Sequence, residues 1–157
     1  GCQTALDAAG DGGTMQPLEE LLPHLDVYVP SLAEAMHQTG KVNPTEIIDT
    51  YRACGAPGLL GVKLGAEGAM LSRSAGEYLK IDQVPAPGDV VDTTGAGDCF
   101  YAGLLAGLLR GKSDAEAGQL AAATGACCVT ALGANAGLRD YDQTATLAGL
   151  ADHERNR

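Results

Sequence analysis

The sequence predicts a protein of the α/β class, a layered sandwich of helices and a sheet. Strand and helix patterns alternate for most of the 157 residues, which is the signature of this architecture. Between residues 65 and 81, short strands separated by turns predict an antiparallel excursion. The length suits one domain with a substantial core, and 45 % hydrophobic with 19 % charged residues is typical of a globular chain.

The first half of the chain reads as two strands and three helices. Residues 3–7 form an apolar strand that ends in a glycine-rich stretch, residues 17–22 a short helix, and residues 25–29 a second strand. The stretch Pro30-Ser31-Leu32-Ala33-Glu34 comes next, and a helix then runs through Met36 toward Gly40. Another covers residues 43–54, because Pro44 suits the first helical turn and Gly55 the position after the last one.

The second half begins with a buried-type strand over residues 58–64. A turn over residues 65–68 leads into a strand over 69–72, and a third strand covers 77–81. An apolar helix is predicted over 99–110, and a capping box of Ser113 and Glu116 opens a small-residue helix over 117–132. A last helix is predicted over 143–150, and residues 152–157 as a frayed tail.

The composition disfavours several kinds of function. A net charge of −10 and a pI near 4.5 repel nucleic acid, so a bound phosphate needs a local site. The five cysteines lack C-x-x-C spacing and the three histidines lack ligand spacing, which disfavours disulfides and zinc and suits a reducing cytoplasm. The sequence shows neither an apolar membrane-spanning stretch nor a signal-peptide pattern. We therefore expect a cytoplasmic protein without nucleic-acid or membrane partners.

The stretch DVVDTTGAGDCFYAGLLAGLLRG, residues 89–111, combines a strand end, a glycine-rich turn and an apolar helix. Such a helix N-terminus presents backbone amides and a positive dipole end to an anion, and Gly95 and Gly97 let the backbone approach a phosphate closely. In the simpler alternative, Asp98 only caps the helix and the glycines make a tight turn. The stretch is neither a Walker A loop, since no G-K-[ST] follows, nor a dinucleotide fingerprint, since Phe100 replaces the third glycine.

Asp98 is the candidate general base. Its carboxylate can accept the proton of a hydroxyl that attacks a phosphorus held over the glycine amides, and the helix dipole keeps the carboxylate ionised. A weak base suffices, because phosphoryl transfer depends mainly on positioning and charge stabilisation.

The stretch Asp92-Thr93-Thr94-Gly95-Ala96-Gly97-Asp98 resembles the C-terminal signature of the ribokinase-like (PfkB) carbohydrate kinases. The resemblance implies a three-layer α-β-α sandwich of the ribokinase-like type. It also implies that Asp98 is the catalytic base and that the amides of Gly95, Ala96 and Gly97 form an anion hole. The implied reaction moves the γ-phosphate of ATP to a hydroxymethyl group of a small sugar.

Two stretches of the first half resemble further family motifs. The run Lys63-Leu64-Gly65-Ala66-Glu67-Gly68 is similar to the family's T-L-G-x-x-G segment along the nucleotide phosphates, with a lysine in place of threonine. Read structurally, it is a hairpin turn. Pro30-Ser31-Leu32-Ala33-Glu34-Ala35 resembles P-N-x-x-E-A, whose glutamate organises Mg²⁺, although Ser31 replaces asparagine. Ser31 and Glu34 equally form a capping box, which needs no metal.

A third motif follows the small-residue helix. Val129-Thr130-Ala131-Leu132-Gly133-Ala134 resembles V-T-R-x-G-A, with Ala131 in place of arginine. The resemblance implies a monovalent cation, K⁺, held by Asp92 and by oxygens of the following residues: Thr94, Cys128, Ala131, Gly133 and Gly137. It also places Ala122 beside the adenine, although the small residues of that helix suit close packing equally well.

The resemblance covers only the C-terminal half of a family member. We therefore expect residues 1–157 to be the ATP-binding and catalytic portion of such a kinase, without its N-terminal sugar-binding half and lid, and of doubtful activity alone. Two alternatives are a nucleoside kinase of the adenosine type and a non-catalytic nucleotide-binding remnant. The acceptor is undetermined, and a homodimer of the intact protein is left open.

Overall fold

The computed structural model describes residues 2–8 and 16–150. These residues divide into two compact units, one that ends at residue 80 and one that begins at residue 81, and the division falls inside a strand. The predicted frayed tail lies outside the described residues. None of the helices in the described ranges is long and apolar enough to cross a membrane.

The first unit contains a sheet of five strands in the order β1-β2-β3-β4-β5. The strands are Ala5–Leu6 (β1), Val27–Tyr28 (β2), Leu59–Lys63 (β3), Ala69–Ser72 (β4) and Leu79–Ile81 (β5), the last of which reaches the boundary with the second unit. The first three strands are parallel and β4 is antiparallel to β3. The carboxyl ends of β1, β2 and β3 therefore lie at one edge of the sheet, which is where open α/β sheets bind ligands.

Three helices belong to the first unit. Leu18–Leu21 (α1) continues into a 3₁₀ turn, and Leu32–Thr39 (α2) and Pro44–Ala53 (α3) pack against each other and against β3. The predicted capping residues are in place: Gly40 ends α2 in the left-handed region, and Pro44 opens α3 behind the Asn43 cap. Strand β4 has its predicted bounds, and the other four strands are shorter than predicted but lie within their predicted ranges.

Two sets of buried or partly buried hydrogen bonds connect the elements of this unit. The Tyr51 hydroxyl donates to Gln38 Oε1 at 2.6 Å, and Gln38 Nε2 donates to the Tyr28 hydroxyl at 2.8 Å. Burial raises the pKa of both tyrosines, so both hydroxyls stay protonated. Arg52 donates to three backbone carbonyls, those of Ala56, Gly58 and Ser72, at 2.9–3.2 Å, which ties α3 to the strands.

The second unit contains the helices Ala96–Leu109 (α4), Asp114–Cys128 (α5) and Tyr141–Leu147 (α6). Helices α4 and α5 pack closely through glycines. A Cβ on Gly107 would lie 2.8 Å from Ala117 Cα, and one on Gly103 would lie 2.9 Å from Ala121 Cα. The small residues of these helices are therefore needed for helix–helix packing.

The boundaries of the three helices correct the sequence prediction. Helix α4 begins at Ala96 rather than at residue 99, because Gly95, at φ 76°, is its N-cap. Helix α5 ends at Cys128 rather than at residue 132, because the amide and hydroxyl of Thr130 both donate to the Cys127 carbonyl and compete with further helical bonds. Helix α6 begins at Tyr141 rather than at residue 143, because Asp140 caps it, and it ends at Leu147 rather than at residue 150.

Candidate functional site

The start of α4 exposes the candidate base. Asp98 is the third residue of the helix and is exposed, and the helix has no side-chain cap because Gly95 occupies the capping position. The alternative in which Asp98 caps the helix is therefore wrong. The carboxylate lies in the first turn, where the helix dipole favours its ionised form.

The expected anion hole at Gly95, Ala96 and Gly97 stays a prediction, and the structure shows how the backbone at the start of α4 is bonded. The Ala96 amide donates to the Thr93 carbonyl at 3.2 Å, and the Cys99 amide donates to the Gly95 carbonyl at 2.8 Å. The structure therefore offers an anion the positive end of the α4 dipole close to Gly97, while the Ala96 amide is engaged in a turn.

Gly95 cannot be replaced without strain. Its φ of 76° belongs to the left-handed region, and a Cβ there would lie 2.5 Å from the carbonyl oxygen of Ala134. A side chain would thus have to displace the backbone of the loop after α5.

Asp92 connects the glycine-rich turn to the same loop. Its Oδ1 accepts the Thr94 amide and its Oδ2 accepts the Gly133 amide, both at 2.9 Å. Hydrogen bonds from Thr94 and from the Gly133 amide hold the pKa of Asp92 below its usual value, so the carboxylate is ionised at neutral pH. Each oxygen retains lone-pair capacity for another ligand.

Oxygen atoms converge where α5 ends. A Cβ on Gly137 would overlap the Cys127 carbonyl oxygen and lie 2.8 Å from that of Cys128 and 2.9 Å from Thr130 Oγ1. Only glycine fits against this group of oxygens. Carbonyl and hydroxyl oxygens of this kind suit a hard cation.

Two thiols, which the sequence prediction did not use as donors, lie beside these oxygens. Cys99 and Cys128 donate to the Ala134 carbonyl at 3.3 and 3.2 Å, and Cys128 also approaches the Thr94 carbonyl at 3.5 Å. Burial, followed by the neighbouring Cys128, raises the pKa of Cys99 to about 12. This thiol is therefore a protonated donor rather than a nucleophile.

In the first unit, Ser31 and Glu34 form the predicted capping box. Ser31 Oγ accepts the Glu34 amide at 3.3 Å, and Glu34 Oε2 accepts the Ser31 amide at 2.8 Å. The cap accounts for both residues, and a metal role for Glu34 stays a prediction. Among residues 2–8 and 16–150, no three acidic, histidine or cysteine side chains are grouped so as to hold a metal ion.

The turn after β3 is a hairpin connection, as predicted. A 3₁₀ turn, Gly65–Glu67, joins β3 to β4, and the Leu64 amide donates to the Gly68 carbonyl at 2.8 Å. Gly65 and Gly68 have φ of 61° and 88°. A Cβ on Gly65 would meet nothing within 4 Å, so another molecule can approach the backbone of the tip.

Lys63, just before this turn, has a partner that the sequence prediction missed. Its Nζ lies 3.4 Å from Oδ2 of Asp7. Asp7 was visible as the last residue of a predicted strand, and polar residues at the carboxyl ends of parallel strands commonly face a ligand. Ala122 lies buried in α5, and its place beside an adenine stays a prediction.

The comparisons with known proteins identify the class. The model of the pfkB family carbohydrate kinases matches residues 1–140, and the chain belongs to that family. A 2-dehydro-3-deoxygluconokinase of Bacillus subtilis is 36 % identical over 138 residues, which cover 87 % of this chain and 41 % of the relative. An aminoimidazole riboside kinase of Salmonella typhimurium is 47 % identical over 98 residues, 59 % of this chain and 29 % of the relative.

The fold is also similar to that of kinases of this family. The solved structure of Arabidopsis thaliana ribokinase complexed with ribose and ATP matches with a TM-score of 0.82 and 30 % identity, covering 93 % of this chain and 47 % of that one. The predicted α/β sandwich of the ribokinase-like type is thereby confirmed. The chain spans less than half the length of these relatives.

Proposed function

We propose that this chain is the ATP-binding and catalytic portion of a kinase that transfers the γ-phosphoryl group of ATP to a hydroxymethyl group of a small sugar. The observation that carries the proposal is the exposed Asp98 in the first turn of α4, behind a helix start that only glycine can form. Family membership and the similarity to a ribokinase complexed with ribose and ATP support it.

In the proposed reaction, the acceptor hydroxyl gives its proton to Asp98 as its oxygen attacks the γ-phosphorus. The bond between that phosphorus and the β,γ-bridging oxygen breaks, and ADP leaves with the bridging oxygen. The N-terminus of α4, at Gly95, Ala96 and Gly97, stabilises the negative charge of the phosphoryl group through its dipole. The segment from Lys63 to Gly68 and the residue Ser31 are proposed to contact the nucleotide, with Lys63 supplying positive charge. The helix around Ala122 is proposed to border the adenine.

Two cations belong to the proposal. ATP is used as its Mg²⁺ complex, and Mg²⁺ keeps most of its waters beside one or two carboxylates, which fits Glu34 as a residue that holds those waters. K⁺ fits the oxygens of Asp92, Thr94, Cys128, Ala131, Gly133 and Gly137. The convergence of carbonyl oxygens at Gly137 and the ionised Asp92 support this second site.

The first test is a coupled assay of ADP release by the protein as expressed from its gene. The acceptors are ribose, 2-dehydro-3-deoxygluconate, and adenosine with other ribonucleosides. Turnover with a sugar supports the proposal. Turnover with ribonucleosides alone favours a nucleoside kinase, which the 47 % identity to the Salmonella riboside kinase makes the second candidate. MgATP binding without any transfer to these acceptors favours the non-catalytic remnant, which the limited coverage of the relatives keeps open.

The K⁺ site has its own test. At equal ionic strength, KCl should raise the rate above that in LiCl or tetramethylammonium chloride, and Asp92→Asn should abolish the difference. Equal wild-type rates in the three salts would remove the cation from the proposal.

A further inference from the structure

The ion pair between Lys63 and Asp7 lies at the carboxyl edge of the parallel strands. Lys63 ends β3 and Asp7 directly follows β1, while β2 lies between these two strands in the sheet. The lysine side chain therefore crosses the end of β2 to reach a carboxylate on the far side. Only 11 % of the Lys63 side chain is exposed, against 26 % for Asp7.

The backbone of Lys63 is held independently of this pair. Its amide donates to the Pro30 carbonyl at 2.8 Å, its residue bridges Ser31 in parallel, and it pairs with Ala69 across the hairpin. The contact with Asp7 therefore concerns the side chain of Lys63, which carries the positive charge.

A role in stability explains the pair poorly. For an ion pair this far buried, the cost of removing both charges from water offsets most of their attraction, so the pair is weak evidence for a gain in folding free energy. Arg52 in the same unit is a cation with a clear structural role, because it donates to three carbonyls and connects a helix to the sheet. The contacts of Arg52 join a helix to strands, whereas the Lys63–Asp7 contact joins two strand ends that already belong to one sheet.

We propose that Asp7 is a positioning residue that orients the Lys63 ammonium across the strand ends to receive a phosphate oxygen of the nucleotide. The inference rests on the proposed function and adds to it the residue that aims the charge. An ammonium has three N–H donors, so one bond to Asp7 and one to a phosphate are compatible. A polyphosphate needs such a directed charge in a chain whose net charge is −10.

The experiment measures binding of MgATP, and of adenosine as the phosphate-free probe, by calorimetry on the full chain. The variants are Asp7→Asn, Lys63→Met, the double variant and Asp7→Glu. Asp26→Asn is the matched control, because Asp26 also bonds to the first strand region, through the Thr4 amide at 2.8 Å, but away from the Lys63 pair. Thermal unfolding of each variant verifies that it folds.

Lys63→Met should weaken MgATP binding roughly tenfold, as expected for the loss of one directed charge. Asp7→Asn should approach that loss, the double variant should bind as Lys63→Met does, and Asp7→Glu should recover part of the affinity. Adenosine binding should be unchanged throughout, and Asp26→Asn should bind MgATP as the wild type does. In the active kinase, Asp7→Asn should raise KM for ATP more than it lowers kcat.

Several outcomes would overturn the inference. Unchanged or tighter MgATP binding by Asp7→Asn means that Asp7 does not aim the lysine or competes with the phosphate. An equal loss in the Lys63→Met background means that Asp7 acts without Lys63. If Asp7→Asn does not fold, Asp7→Glu decides, because unchanged affinity after moving the carboxylate by one methylene contradicts a positioning role. A wild type that neither binds nor turns over ATP overturns the proposed function together with this inference, whereas the former outcomes leave the function intact.

Discussion

Replacing Asp98 by asparagine separates its proposed role as general base from the stabilisation that a carboxylate in the first turn gives to a helix. The substitution keeps the shape of an exposed side chain and removes its charge and basicity. Gly95 caps α4 and the helix has no side-chain cap, so the structure loses only the interaction of a carboxylate with the helix dipole, about 0.5 kcal/mol. For a chain of this size, that lowers Tm by about 1–2 °C.

The effect on catalysis should be far larger. Removing a positioned general base lowers kcat on the order of 10²–10⁴-fold, which corresponds to roughly 3–5 kcal/mol of activation free energy. The KM for ATP should change little, since the asparagine leaves the helix start intact. The assay is steady-state ADP release with the acceptor identified in the screen, combined with thermal unfolding of the same samples.

The matched control is Asp142→Asn, an exposed aspartate in the first turn of α6. It should show a similarly small change in Tm and an unchanged kcat. The reasoning is refuted if Asp98→Asn lowers Tm by many degrees while kcat stays within about tenfold of the wild type, because Asp98 would then stabilise the helix rather than accept a proton.

Gly95→Ala should lower the free energy of unfolding in urea by clearly more than Gly111→Ala, because both glycines have φ above 70° but only Gly95 contacts the Ala134 carbonyl. Gly111→Ala therefore measures the backbone strain alone, about 1–2 kcal/mol, and equal losses in the two variants would contradict the contact. The lowered pKa of Asp92 contributes stability at pH values above the ordinary carboxyl pKa of about 4, and this stability is lost as the pH falls through the lower pKa of the folded state. Asp92→Asn should abolish that part of the loss of stability in acid. An unchanged dependence of stability on pH would show that the amide bonds to Asp92 do not affect stability. Arg52→Lys should cost about 1–3 kcal/mol in the free energy of unfolding, because one ammonium cannot replace a guanidinium that reaches three carbonyls, and a neutral result would show that these bonds are replaced by water.

The helix boundaries show where local rules predicted the structure and where they did not. The capping boxes at Ser31 and Ser113 were predicted from the spacing of serine and glutamate and are both formed. The start of α4 was placed three residues late, because aspartate is the commoner cap and the left-handed Gly95 is a less obvious one. The end of α5 was placed too late, since apolar residues continue past Cys128 while the Thr130 side chain ends the helix.

Some features of the candidate site were likewise predicted from the sequence, and others were not. The motif around Asp98 predicted the start of a helix with a carboxylate in its first turn, and α4 starts in this way. Asp7 was not predicted to pair with Lys63, because 56 positions separate the two residues. The contacts of the Ala134 carbonyl with Gly95, Cys99 and Cys128 were not predicted either.

The sequence by itself determined the class of fold, the family, the glycine-rich helix start and the candidate base, because caps, turns and helix starts depend on residues a few positions apart. Tertiary structure alone decided which carbonyls meet at the end of α5, which amide besides that of Thr94 holds Asp92, and which carboxylate directs Lys63. The contacts of Asp92 with Gly133 and of Lys63 with Asp7 join residues 41 and 56 positions apart. They depend on strand register and helix packing, which no short stretch of sequence contains.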